Sequence, residues 1–193
     1  MNNLLNAYKA NPPNKGVTFI KAGTTSGAVR DQPETADAPT ALQKSLNCSF
    51  AEAGIRVAPS VDLRCSGLVS GTQTDLITNK DIVIGIANEI SNNVSIGLKN
   101  GHIPITLGGD HSVTFGTIPG VKKQYSGSEI GHIVIDSHLD MQRGHSSPSG
   151  NPHGMTNSGN LGVMDDADFN NIGVSGAKLQ PENLLIIGVN DPD

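Results

Sequence analysis

Tryptophan is absent from this 193-residue chain, and aromatic residues together make up only 3% of it. A core built mainly on large rings is therefore not expected, and the interior should be filled by Val, Ile, Leu and Ala. Cysteine occurs only at Cys48 and Cys65, too few for a disulfide framework and in keeping with a reducing compartment. Long apolar runs are missing too, since none approaches the roughly 20 residues that span a bilayer. Positive charge is scarce: 13 Lys and Arg stand against 18 Asp and Glu, for a formal charge of −5. Surfaces that hold nucleic-acid phosphates or anionic lipid are basic, so neither nucleic acid nor membrane is expected as a partner. The opening MNNLLNAYKA lacks a basic segment leading into an apolar one, so no secretory leader is expected. These shortages together suit a soluble, cytoplasmic, globular protein, and the length suits one domain.

What is present is an aliphatic, loop-rich chain with 36% hydrophobic residues, 23 glycines and 11 prolines. Residues Gly16–Ile20 have strand character. The stretch from Ala22 to Pro39 is rich in Gly, Thr, Asp and Pro, lacks periodicity, and reads as a long loop. A helical pattern follows from Ala38 to Glu52, with Pro39 near its first turn. Between Ile82 and Leu98 the apolar positions 83, 86, 87, 90, 94, 97 and 98 trace one helical stripe, with Asp81 at the start. Three short apolar runs come next: Ile103–Leu107, His132–Ile135 and Leu184–Val189. Continuous apolar strands set between helices predict buried parallel strands in an α/β sheet. Sites in such sheets lie past the carboxyl ends of the strands.

The residues just past those ends are polar. After Ile103–Leu107 comes Gly108-Gly109-Asp110-His111-Ser112, where two glycines permit a tight turn and close backbone approach. A plainer account makes Asp110 a helix cap and His111 a passenger. After His132–Ile135 comes Asp136-Ser137-His138-Leu139-Asp140. In extended chain the side chains of 136, 138 and 140 share one side at roughly 6.6 Å per two residues, and a curl at the strand end converges them. Two carboxylates and an imidazole suit a divalent ion of Mn²⁺ type, and also accept Fe²⁺, Co²⁺ or Zn²⁺. An ordinary solvated strand end is the competing account. Residues 142–154, QRGHSSPSGNPHG, carry hydroxyl and amide groups with nothing apolar to bury. Alone they read as a solvated linker. Directly behind the acidic triplet they suggest a loop that binds substrate.

GGDHS at 108–112, DSHLD at 136–140 and SGNPHG at 149–154 together resemble the ureohydrolase family, most closely arginase, from about Val17 to the end. APTALQK at 38–44 and the terminal IGVNDPD at 187–193 are looser matches. The resemblance implies a three-layer α/β/α fold with a mainly parallel sheet, incomplete at the C-terminus: residues 1–193 would form one such domain lacking its C-terminal third. It implies a manganese-dependent hydrolase that cuts L-arginine to L-ornithine and urea, with two Mn²⁺ ions. His111, Asp136 and Asp140 would bind one ion and His138 the second, with Asp136 bridging. His153 would shuttle a proton. Ser147, Ser149 and Asn151 would bind the substrate α-carboxylate, and Asp193 would lie near its α-amino group. A homo-oligomer, trimer or hexamer, is implied for the complete enzyme.

The sequence also departs from the family pattern. Ser137 stands where Ala is usual, Ala38 where Gly is usual, and Gln142 where Asn is usual, which affects one substrate contact. A later strand end with two further Asp ligands and a Glu is missing. Asp165, Asp166 and Asp168 precede the final strand and cannot take its place. The chain is accordingly expected to be a fragment or truncated product, poorly folded or inactive alone, with an exposed strand edge and uncovered apolar surface. Two other readings compete. One keeps the metal chemistry with another guanidino compound, as in an agmatinase. The other is a non-catalytic relative that acts by binding.

Overall fold

The computed structural model describes residues 16–28, 33–63 and 76–191. Cys65 and Asp193 therefore lie outside the described residues. The first strand, β1 (Val17–Ala22), matches the sequence reading and runs slightly further. Helix α1 (Pro33–Glu52) begins earlier than its apolar pattern suggested, so residues 33–39 are helix and not loop. The reason is local: proline suits a first helical position, and Glu34 in the first turn faces the positive end of the dipole. A two-residue strand, β2 (Val61–Asp62), went unforeseen. Helix α2 (Lys80–Lys99) buries Val83, Ile86, Ala87, Ile90, Val94 and Gly97, the stripe read from the sequence. Then come β3 (Ile103–Gly108), α3 (Thr114–Gln124), β4 (His132–Ile135), the short helices α4 (Thr156–Leu161) and α5 (Ala167–Asn170), and β5 (Leu184–Ile187).

Among the described residues every strand pairing is parallel. Strand β1 lies between β2 and β3, with Val17 opposite Ile103 and Ala22 opposite Gly108. Period-two alternation sends the two faces of β1 into different layers. Val17 and Phe19, with Leu107 of β3, pack against Leu46 and Phe50 of α1. Ile20 and Ala22 pack against Ile86, Ile90 and Val94 of α2 on the other face. Helix, sheet and helix thus form the three-layer α/β/α arrangement. A third cluster joins Val83 and Ala87 to Phe115, Met155, Met164, Phe169 and Ile172.

Aromatic rings count for more than their number suggests. Phe19 stacks on Phe50 at 5.8 Å between centroids, and Phe115 meets Phe169 at 4.9 Å. These are all four phenylalanines of the chain. Phe19, Phe115 and Phe169 are fully buried, at about 2–3 kcal/mol each, and Phe50 partly so, so the expected aliphatic core is corrected to an aliphatic one seeded by two aromatic pairs.

Strands β4 and β5 form a second sheet of their own. The sequence read both as buried, and here it is overturned: Ile133, Ile135, Leu185 and Ile187 are 66%, 83%, 53% and 47% exposed. Register explains the pattern. Ile133 pairs with Leu185 and Ile135 with Ile187, so one face of the pair presents four aliphatic side chains that no described element covers. Among the described residues, no helix is long and apolar enough to cross a membrane.

One buried cation sits away from these strands. Lys178 is only 3% exposed, and its ammonium donates to the Asn170 carbonyl that closes α5, at 2.5 Å. Burial pulls its pKa down to about 8. Below pH 8 folded and unfolded chains both carry the proton, and the cost of burying the charge is fully present. Between about pH 8 and 10.5 only the unfolded chain keeps the proton, so stability rises with pH. Urea unfolding at pH 7.5 and pH 10 should show the wild type gaining about 2–3 kcal/mol relative to Lys178→Met, at 1.36 kcal/mol per pKa unit. An equal difference between the two proteins at both pH values would refute it.

Candidate metal centre and substrate loop

Hydrogen bonds hold the carboxyl ends of β1 and β3 together, and His111 behind β3 meets Asp136 and Asp140 behind β4. Asp110 caps the short turn His111–Val113: its Oδ1 accepts from Ser112 N at 2.7 Å. Its Oδ2 accepts from Gly27 N at 2.9 Å, which ties the loop after β1 to the loop after β3. Gly27 O in turn accepts from His153 N at 3.1 Å. The residues at 109–110 are laced to the same loop through Gly109 N to Ala22 O and Asp110 N to Thr24 O, at 3.0 and 2.9 Å. Capping by Asp110 and a functional placement of His111 therefore coexist and do not compete.

His111 Nδ1 lies 2.5 Å from Asp140 Oδ2 and 3.6 Å from Asp136 Oδ2. One ligand atom from each of these three residues falls within 4.8 Å of the others. Asp140 is 4% exposed, and its Oδ2 has no properly directed hydrogen-bond donor. A buried carboxylate oxygen facing a ring nitrogen without a proper hydrogen bond is costly unless a proton or cation lies between them. Asp140 also holds φ at +50°, a left-handed conformation uncommon outside glycine. Asn157 fixes that turn: its N–H donates to Asp140 O at 3.0 Å and its side-chain amide to Leu139 O at 2.7 Å. Backbone strain and a buried carboxylate held against an imidazole at one residue mark a site held in shape for a ligand. The donor set, one imidazole and two carboxylates, fits a divalent cation.

The electrostatics follow from the same contacts. The Asp140 carboxylate raises the His111 pKa against the opposing effect of burial, with Asp136 and Asp110 adding to it. Burial alone would push Asp136 up, but the His138 N–H at 3.0 Å and the charge of His111 bring it below the ordinary carboxylate range. His138 stands apart from the three. It is exposed, and its Nδ1 is 3.4 Å from Asp136 Oδ1 and 3.3 Å from the Ser137 hydroxyl.

The family model for the Arginase family matches residues 16–193. The chain belongs to the Arginase family. An arginase from Brevibacillus brevis is 39% identical over 122 residues, which cover 63% of this chain and 40% of that protein. The arginase structure from Bacillus cereus superposes with a TM-score of 0.81 at 27% identity, covering 93% of this chain and 58% of that one. The Bacillus caldovelox arginase gives 0.79 at 26% identity, covering 93% and 59%. The chain thus spans less than three-fifths of the length of these relatives.

Within this arginase fold the 142–154 loop closes at its neck, where Gln142 N donates to Gly154 O at 3.1 Å. Its middle is fixed by Thr78 N donating to Gly150 O at 2.8 Å. Ser147 Oγ accepts from Gly150 N at 3.1 Å and Ser149 Oγ from Asn151 N at 3.3 Å. Each hydroxyl proton therefore remains free to point at something else. Asn151 is buried, and His153 sits half-buried in the turn Pro152–Met155, which packs against the turn bearing His111. Asp165, Asp166 and Asp168 lie elsewhere, in contact with His145 and Lys80. Sequence reasoning missed the anchoring roles of Gly27, Asn157 and His145. Only Asp110, as a capping residue, left a local signal.

Proposed function

We propose that this chain carries the chemistry of a manganese-dependent arginase, directed at L-arginine with L-ornithine and urea as products. The observation that supports it most is the buried Asp140 carboxylate gathered with His111 and Asp136 at one point, beside a loop rich in hydroxyl and amide groups. His111, Asp136 and Asp140 would hold one Mn²⁺, and His138 with Asp136 would contribute to a second. When bound, such cations supply positive charge that makes water acidic near neutral pH.

The chain's own residues then have distinct tasks. Ser147, Ser149 and Asn151 bind the α-carboxylate, with both hydroxyls oriented by the backbone amides they accept from. Gln142, at the neck of the loop, would add one further substrate contact. His153, whose backbone N–H donates to Gly27 O, would deliver a proton to the departing amine. Asp193 would contribute near the α-amino group.

The test is direct binding. Manganese-loaded protein should bind L-arginine, and replacing Ser149 and Asn151 together by Ala should weaken that binding about 100-fold, the loss of hydrogen bonds to a charged group. Agmatine lacks the α-carboxylate, so its binding should change little in the same variant. Tighter binding of agmatine than arginine, with no effect of the double substitution, would favour the agmatinase-like reading. Absence of both Mn²⁺ and guanidino-ligand binding would favour a non-catalytic relative.

A further inference from the structure

The 142–154 loop is held at its neck by Gln142–Gly154 and in its middle by Thr78–Gly150, but the stretch between them is closed mainly on itself. Ser146 N and Ser147 N both donate to Arg143 O, and Arg143 N donates to the Ser146 hydroxyl at 2.8 Å. Beyond the packing of Gly144 against Leu76 and Ile77, a polar contact from outside reaches this stretch. Asp165 Oδ2 accepts from His145 N at 3.1 Å and also meets the His145 ring Nδ1. A single carboxylate oxygen that takes both the backbone N–H and the ring of one residue fixes that residue's backbone and its rotamer together.

Asp165 itself stands on a braced turn. Its neighbours Asp166 and Asp168 hold Lys80 Nζ at 2.6 and 2.7 Å, at the first residue of α2. Met164, on its other side, is buried in the core and exchanges two hydrogen bonds with the Asn170 side chain, at 3.1 and 2.8 Å. The turn is therefore fixed to a long helix and to the interior, while the loop it touches is exposed at His145 and Ser146, with buried Gly144 against Leu76 and Ile77 as its neighbouring apolar contact. Rigidity passes from the turn to the loop.

We infer that Asp165 is a positioning residue for arginine recognition, holding the 143–147 stretch through His145 so that Ser147, Ser149 and Asn151 present one pocket to the α-carboxylate. The inference rests on the proposed substrate reading, and it assigns a role to a residue that touches neither substrate nor metal ligands. Charge supports the arrangement. The His145 N–H, its imidazole and nearby Arg143 all keep the Asp165 carboxylate below the ordinary range, outweighing desolvation.

Amide hydrogen exchange and arginine titration of the full manganese-loaded chain test it, using Asp165→Asn, Asp165→Glu and, as a remote surface control, Glu182→Gln. Asp165→Asn should speed exchange of the 145–151 amides about 3- to 10-fold, as expected for local opening. It should weaken arginine binding by a comparable factor and leave Mn²⁺ affinity and the exchange of β3 and α2 unchanged. Asp165→Glu should recover part of both effects, and Glu182→Gln should show neither. Unchanged loop exchange overturns the proposal, as does faster exchange spread evenly over the molecule. Faster loop exchange with unaltered arginine affinity also overturns it. If the wild type binds no arginine, the substrate reading fails by itself, while the exchange pattern still decides whether Asp165 holds the loop.

Discussion

Asp140→Asn is expected to lower Mn²⁺ affinity by at least about 100-fold, since loss even of groups that merely orient ligands costs 10–100-fold. Asparagine is the fitting substitution because it keeps the shape and tolerates the left-handed backbone at φ +50°. The bonds from Asn157 to the 139 and 140 carbonyls use main-chain acceptors and survive the change. What disappears is the charge that faces His111 at 2.5 Å. Calorimetric titration with Mn²⁺ is the measurement, with thermal unfolding of the apo form to show that the fold persists. Affinity within a few-fold of wild type would remove Asp140 from the ligand set.

Gly109→Ala is expected to destabilise the chain by about 3 kcal/mol, at the upper end of ordinary overpacking costs. A Cβ built at this position falls 2.0 Å from Thr24 O, 2.9 Å from Thr24 C and 3.0 Å from Thr24 N. All three are main-chain atoms, so no rotamer change relieves the clash. The two loops are also bonded to each other at 3.0 and 2.9 Å, and separating them drags Asp110 and then His111. At the 2–4 °C per kcal/mol typical of this size, the melting temperature should fall by roughly 6–12 °C. Metal affinity should fall with it. A variant that melts with the wild type would show that the loops part more easily than their bonding implies.

The longer strands were legible because each is a local run, and the polar residues behind β3 and β4 were read at two separate strand ends, from which the structure brings His111, Asp136 and Asp140 together. His132–Ile135 is a run of four residues with polar chemistry directly behind it, and the structure reproduces its limits. The stripe from Val83 to Gly97 is periodic, and α2 buries it. Burial of β4 and β5 was misread because an apolar strand says nothing about which neighbour covers it. Residues 33–39 were misread because their composition resembles a loop, while proline and an acid at a helix start are a signal of position more than of content. The link from Asp165 to His145 joins segments 20 residues apart without periodicity or motif. Such contacts are set by tertiary packing, and a linear reading has no means to pair them.

Gly27 has a consequence of a different kind. Its amide hydrogen serves the acidic cap beside the ligand cluster, and its carbonyl serves the proposed proton donor. A single residue's amide and carbonyl therefore gauge the spacing between the two halves of the chemistry. Because Gly27 contributes only main-chain atoms to that gauge, its one side-chain dependence is the Asp110 carboxylate, and other side chains of the loop are free to drift without altering it.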